Sequence, residues 1–333
     1  MAVVTAVDLT TGPGVGLLPL VSLGPAFAGL TGGWRRTVAI GVIAVALCLM
    51  LSAYDGLFGT RRGFTALLSV AGVTAAGLAA AVRRQRREAE LASVRSIAEV
   101  AQRVLLRPVP RGAGRLRVAV SYTSAVAEAH IGGDLYEVVT SPRGVRLIVG
   151  DVQGKGLDAV ETAAVVLGAF REAAYDEPDL TAVGERLERA LERHLTQEKF
   201  VTAVLAQVGD GFTVTLLNFG HPAPLSVRAN GEIRYLAPPG RALPLGLGVH
   251  GTPGPKPYEM PFAPGDQILF YTDGVTEARA PSGGFYPLEE RAGTLEDPDP
   301  EAALAAVRQD LMEHVEGPLQ DDAAMLLLRY RHG

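Results

Sequence analysis

Long apolar runs without a charged residue dominate the first quarter of the chain. Three of them follow one another, at Val15–Gly33, Thr37–Ala53 and Gly63–Val82. A helix of about 20 residues is long enough to cross the hydrocarbon core of a bilayer. One such run would be typical of a buried core helix, whereas three in succession predict membrane insertion. The first run is rich in Gly and Pro, so residues 1–87 are expected to hold two or three transmembrane helices.

Arginines predict how these helices are oriented. A cluster of four arginines lies at residues 83–87, directly after the third run. Basic clusters beside a membrane helix stay on the cytoplasmic side. A cleaved signal peptide fits poorly, because no basic residue precedes the first run. The pattern therefore predicts a multi-pass protein of the cell membrane, with residues 88–333 in the cytoplasm.

A helical pattern connects the apolar region to the rest of the chain. Its apolar positions recur every three or four residues, at Leu91, Val94, Ile97, Ala101, Val104 and Leu105. Prolines at 108 and 110 are expected to end the helix. Two interpretations of residues 88–110 stay open: the helix packs on the domain that follows, or it pairs with a second copy in a homodimer.

Residues 111–333 show the alternation and turn signals of a mixed α+β domain. Three hairpins are predicted at 135–149, 200–217 and 224–236, and single strands at 117–122, 267–272 and 323–330. Helices are predicted at 157–175, 180–195 and 300–314. Many hairpins with long helices between them favour antiparallel sheets covered by helices over alternating βαβ units.

Charge and cysteine content exclude several classes of protein. The net charge of −5 hides a division, because residues 1–87 carry eight arginines and two aspartates, or +6, which leaves −11 on residues 88–333. So acidic a body argues against nucleic-acid binding. Cys48 is the single cysteine, which excludes a disulfide framework and a zinc–cysteine site.

Aspartates recur beside glycines at the ends of predicted strands. Asp134 follows two glycines, Asp151 and Asp273 follow strands, and Asp321 and Asp322 precede the last strand. Each alone is typical of a turn. Acids at several strand ends can converge, however, and carboxylate oxygens suit hard divalent ions such as Mg²⁺ or Mn²⁺.

Five motifs, in order, resemble those of bacterial PPM-type serine/threonine phosphatases of the SpoIIE-like, stress-regulator branch. They are EAHIGGDLYE at 128–137, GDVQGKG at 150–156, FGHPAP at 219–224, YTDGVTEAR at 271–279 and DD at 321–322. The resemblance implies an αββα fold, in which two antiparallel sheets form a sandwich flanked by helices. Gln153, Leu135, Glu137 and Phe219 depart from the usual motif residues, but none of these changes removes an expected metal-binding carboxylate.

The resemblance also implies roles for individual residues. Asp151 would bridge two Mn²⁺ or Mg²⁺ ions, and the main-chain carbonyl of Val152 would bind one of them. Asp273 and Asp321 would complete the shell of the second ion, and Asp134 would bind on the other side. Asp151 and Asp273 are therefore the expected catalytic residues. Two cations lower the pKa of a water held between them, and the resulting hydroxide attacks phosphorus without a covalent intermediate.

Three other polar residues are expected to have plainer roles. His221 lies in a Gly-His-Pro turn, where a structural role is favoured and protonation of the leaving serine is the alternative. His130 is expected to be a surface residue. Lys155 is either a phosphate-attracting group or a solvated loop lysine.

Two functions from different classes follow. The leading one is a membrane-tethered protein serine/threonine phosphatase. In this branch the usual substrates are phosphorylated anti-sigma-factor antagonists of the STAS type. The alternative is a catalytically silent scaffold that binds phosphoproteins. A sensor kinase is disfavoured, because residues 88–106 contain no phospho-acceptor histidine.

Overall fold

The computed structural model describes residues 18–124, 132–194, 199–209, 211–248 and 254–331. The chain forms two compact units, residues 1–94 and 95–333.

The first unit is helical. A 3₁₀ helix at Leu18–Ser22 leads into α1 (Leu23–Thr31), which is followed by α2 (Trp34–Tyr54) and α3 (Arg61–Leu105). The last part of α3, from residue 95, belongs to the second unit. The helices α2 and α3 are long and apolar enough to cross a membrane, whereas the segment Leu18–Thr31 is shorter. The transmembrane region expected from the sequence stays a prediction.

The second unit contains the predicted strands and helices. Its strands are β1 (Gly112–Ala113), β2 (Leu116–Thr123), β3 (Leu135–Ser141), β4 (Gly144–Val152), β5 (Val201–Val208), β6 (Thr213–Phe219), β7 (Leu225–Val227), β8 (Ile233–Tyr235), β9 (Tyr258–Pro261), β10 (Gln267–Tyr271) and β11 (Ala323–Tyr330). Its further helices are α4 (Leu157–Asp176), α5 (Leu180–His194), α6 (Asp273–Thr276) and α7 (Pro300–Val315), with a 3₁₀ helix at Ala292–Glu296.

The strands form two sheets that face each other. One sheet has the order β1-β2-β11-β10-β7-β8, and the other has the order β3-β4-β5-β6-β9. All pairs of named strands are antiparallel. The predicted α+β class is therefore confirmed, with its antiparallel sandwich.

Three apolar cores hold four layers together. Alternate residues of the strands, such as Leu147 and Phe270, fill the space between the sheets. Strand residues on the outer face of the β3–β9 sheet, such as Ile148, pack with α4 and α5. On the outer face of the other sheet, Leu327 packs with residues of α7. This αββα layering leaves the ends of the strands free to carry functional loops.

The end of α3 packs on the body through one face only. Ala98 is buried against Val160 of α4, and Leu105 packs on the α4–α5 core. The opposite face stays open, since Ile97 is 59%, Val100 57% and Val104 75% exposed. The first interpretation of the connecting helix thus accounts for half of its apolar surface, and the dimer interpretation remains a prediction for the other half.

Candidate metal centre

Four strand ends meet at one end of the sandwich and carry the predicted acids. Asp134 directly precedes β3, and Asp151 is the second-last residue of β4, which pairs with β3. Asp273 opens α6 after β10, and Asp321 stands two residues before β11. Because β10 pairs with β11 along its length, these two acids also share one end of their sheet.

Asp134 is held in place by the neighbouring sheet. Its side chain is almost fully buried, with 4% of the residue exposed. The hydroxyl of Thr272 donates to its Oδ2 at 2.9 Å and accepts from the backbone N–H of Ala324 at 2.9 Å. Thr272, directly after β10 of one sheet, therefore orients the carboxylate directly before β3 of the other.

A close backbone approach positions the loop that carries Asp151. The N–H of Val152 donates to the carbonyl of Gly133 at 3.1 Å, and a Cβ at Gly133 would lie 2.3 Å from the Val152 carbonyl oxygen. Only glycine fits at this position. The following turn contains Gly154 and Gly156 at φ +99° and +86°, a backbone conformation that favours glycine.

The remaining two acids are more open. Asp273 is half-buried, and Asp321 has 50% of its side chain exposed. The ammonium of Lys155 lies 3.0 Å from Asp321 Oδ1. Lys155 thus contacts a predicted metal ligand, although this exposed pair contributes little stability by itself.

Negative charge accumulates at this end of the molecule. Burial, followed by the charge of Asp151, raises the pKa of Asp134 well above its usual range. Burial, followed by the charges of Asp273 and Asp321, raises the pKa of Asp151 to about 7. Burial and the charges of Glu277 and Asp321 raise the pKa of Asp273. The acids are therefore close enough to repel one another.

The donor set fits hard divalent cations. All four side chains offer carboxylate oxygens, and clustered anions require positive charge nearby. Within the described ranges, no three His, Cys, Asp or Glu side chains approach closely enough to form a ready metal-binding group. The individual ligands Asp134, Asp151, Val152, Asp273 and Asp321 therefore stay predictions.

His221 has a structural position. It is buried, its Nδ1 lies 3.0 Å from the hydroxyl of Thr202, and its Nε2 lies 3.0 Å from the carbonyl of Tyr271. With both ring nitrogens engaged, the imidazole is not directed at a substrate. Glu128 and His130 of the first motif lie outside the described residues.

Several neutral polar residues join the acids without having been predicted from the sequence. Thr272 binds Asp134, while Tyr122 and Gln102 form hydrogen bonds around Asp322. Asp322 itself is buried, unlike its exposed neighbour Asp321. The one available signal was position, since Thr272 and Asp322 each adjoin a predicted ligand.

Comparisons with known proteins agree with this architecture. The family model described as stage II sporulation protein E (SpoIIE) matches residues 141–331. Phosphoserine phosphatase RsbU of Bacillus subtilis (strain 168) is 24% identical over 209 residues. These residues are 62% of this chain, which spans 61% of the length of RsbU.

Solved structures show the same fold. The SiaA-PP2C domain of Pseudomonas aeruginosa is 20% identical with a TM-score of 0.59, over 74% of this chain and 98% of that domain. The catalytic domain of the serine/threonine protein phosphatase PstP, in complex with 2 manganese ions, is 15% identical with a TM-score of 0.50, over 65% and 99% of the two chains. The second unit thus has the PP2C phosphatase fold. Since the family model covers more than half of the sequence, the chain belongs to the SpoIIE family.

Proposed function

We propose that this protein is a metal-dependent protein serine/threonine phosphatase. One observation carries the proposal: Asp134, Asp151, Asp273 and Asp321 lie at one end of the sandwich, where burial and the charges of neighbouring acids raise the pKa values of Asp134, Asp151 and Asp273. Such a cluster needs cations to be stable in ionised form. The similarity to a phosphoserine phosphatase and to a fold that holds manganese in PstP supports the same reaction.

The residues divide the work between them. Asp151 and the Val152 carbonyl would hold ions at the end of β4, with Asp273 and Asp321 opposite them on the other sheet. Bound Mn²⁺ or Mg²⁺ would supply a water of lowered pKa and neutralise phosphoryl oxygens. Thr272 fixes the direction of Asp134, and the turn at 154–156 has open space around both of its glycines.

The substrate is expected to be a phosphoprotein of the cytoplasm. A phosphorylated STAS-type anti-sigma-factor antagonist fits the resemblance to stress regulators, and RsbU belongs to the proteins that this chain matches. We further propose that α2 and α3 anchor the protein in the cell membrane, because both are long and apolar enough to span it.

A catalytically silent phosphoprotein-binding scaffold is the alternative function. It would not need acids at all four strand ends, and the chain keeps every one of them. Metal-dependent turnover therefore separates the two functions.

The test is release of phosphate from a phosphoserine peptide by the purified full chain in detergent. We expect release with Mn²⁺ or Mg²⁺ and its loss in excess EDTA, because all the predicted ligands are hard oxygens. Full activity in EDTA would contradict the metal mechanism. Binding of the phosphopeptide without release, with Mn²⁺ present, would favour the scaffold.

A further inference from the structure

A buried glutamine of the connecting helix reaches the acidic end of the sandwich. Gln102 lies three residues before the end of α3 and is only 8% exposed. Its Nε2 donates to the hydroxyl oxygen of Tyr122 at 2.8 Å and to the carbonyl of Gly132 at 3.2 Å. A carbonyl oxygen can only accept, so the amide nitrogen must face Gly132.

Both partners of this glutamine bind one carboxylate. The hydroxyl of Tyr122 donates to Oδ2 of Asp322, and the N–H of Gly132 donates to the same oxygen at 3.0 Å. A Cβ at Gly132 would lie 2.3 Å from this oxygen, so the loop and the carboxylate are in tight contact. Asp322 adjoins Asp321, and Gly132 is two residues from Asp134.

The geometry points to Gln102 as a positioning residue for the metal centre. Tyr122 has a single hydroxyl proton, and because Gln102 donates to its oxygen, that proton is left for Asp322. The same amide fixes the Gly132 carbonyl. One side chain of α3 thus holds two segments that carry the predicted ligands Asp321 and Asp134.

This role links the helix to the site by a direct contact. Arg171 of α4 donates to the carbonyl of Leu105 at 2.9 Å and to Glu137 of β3 at 2.6 Å, which fixes the end of α3 on the body. A shift of α3 along its axis would withdraw the Gln102 amide from both acceptors. The inference rests on the proposed function, because it concerns the same metal centre.

The direct test is the affinity of the full chain for Mn²⁺, measured by electron paramagnetic resonance in detergent. Gln102→Glu keeps the length of the side chain but, as a carboxylate, has no donor for Gly132, and Gln102→Met removes the polar group altogether. Substitution of residues that orient metal ligands typically costs 10–100-fold in affinity. We expect a Kd for Mn²⁺ raised at least about tenfold in both variants. Gln309→Met, at an exposed glutamine of α7, is the matched control and should bind like wild type.

A double variant tests whether Gln102 acts through Tyr122. Tyr122→Phe should weaken Mn²⁺ binding similarly, and the combination with Gln102→Met should lose much less than the sum of the two effects. Additive losses would contradict the shared path. A lower Tm of the Gln102 variants in EDTA, with a wild-type Kd for Mn²⁺, would show that Gln102 only packs and would overturn the inference.

The wild-type protein separates this inference from the proposed function. If it bound no Mn²⁺ and released no phosphate, both the inference and the proposed function would be wrong. If wild type binds Mn²⁺ and releases phosphate, and the Gln102 variants have the same Kd for Mn²⁺, only this inference is wrong.

Discussion

The aspartates at the end of the sandwich repel one another, and this repulsion lowers the stability of the metal-free protein. In the absence of metal, burial and then the charges of Asp273, Asp321 and Asp322 raise the pKa of Asp151. Removing the charge of one aspartate should therefore reduce this repulsion and stabilise the metal-free fold. The same change removes a predicted metal ligand that catalysis needs.

Asp151→Asn and Asp273→Asn should each abolish turnover while the fold survives. We expect a loss of at least about 10²-fold in phosphate release, the scale of one strong electrostatic contributor. The Tm in EDTA should be equal to or higher than that of wild type. Asp176→Asn, at an exposed position on α4, is the control and should keep activity. Wild-type turnover in both folded variants would show that the site is wrongly assigned.

His221 should make the fold sensitive to acid. Burial lowers its pKa to about 4, whereas an unfolded histidine titrates near 6.5. Between these values the unfolded chain binds a proton that the folded chain does not, so stability falls as pH drops from about 6.5 to about 4. The shift is worth roughly 3 kcal/mol at most.

Tm measured against pH for wild type and His221→Gln checks this expectation. The variant should be less stable near pH 7, where it lacks the imidazole contacts, and should lose less stability on acidification. Parallel curves for the two proteins would show that His221 does not titrate as its burial requires.

At the residue scale, the sequence indicated the charged residues of the candidate site but not the neutral residues that bind them. Asp134, Asp151 and Asp273 stood out because each adjoins a glycine near a strand end. Gln102 and Thr272 gave no such signal, because a neutral polar residue becomes informative only when its partner is known. Gln102 lies 30 residues from its acceptor Gly132, and Thr272 lies 138 residues from Asp134.

At the scale of elements, one buried arginine ties α4 to its sheet. Arg146 of β4 is fully buried and donates to the carbonyls of Ala174, Glu177 and Pro178 at 2.8–3.2 Å, and to the side chain of Gln207 at 2.9 Å. These carbonyls lie at the end of α4, where helical partners are missing. The arginine thus satisfies groups that would otherwise be buried without a hydrogen bond.

Arg146→Met should destabilise the protein through these orphaned carbonyls. We expect a loss of about 3 kcal/mol or more, which corresponds to a Tm lower by roughly 5–10 °C. Arg143→Met, at the exposed turn of the same hairpin, is the matched control. Equal Tm values for the two variants would show that the buried hydrogen bonds contribute nothing net.

Strongly patterned elements were predictable, and weakly patterned ones were not. The hairpin of β3 and β4 has a mostly apolar run on each side of a Ser-Pro-Arg-Gly turn, and its prediction is confirmed. The strand Gly112–Ala113 is too short for any periodicity, and Tyr258–Pro261 pairs only at the edge of its sheet. The arginines at 83–87 suggested a boundary, yet α3 continues through them, because arginine is a good helix former.

At the scale of the whole molecule, the exposed face of α3 calls for a partner. Ile97, Val100 and Val104 follow a spacing of three and four residues, and each is more than half exposed. This is the spacing at which two helices pack side by side, and a second copy of the chain offers the same surface. The homodimer predicted from the sequence therefore has a defined candidate interface, which is separate from the face that carries Gln102.

Ile97→Asp should weaken self-association without disturbing the sandwich of residues 111–333. A charge in the centre of an apolar contact is costly when buried and unpaired, whereas it is harmless on a surface that stays open. Sedimentation of the full chain in detergent, at several protein concentrations, measures the dimer directly. Ser96→Asp adds the same charge at an exposed neighbouring position and should leave the dimer intact. If wild type and both variants sediment as monomers with equal phosphatase activity, the apolar face has no role in assembly. A dimer lost in Ile97→Asp alone, with changed activity and an unchanged Kd for Mn²⁺, would show that assembly acts on turnover without altering metal binding.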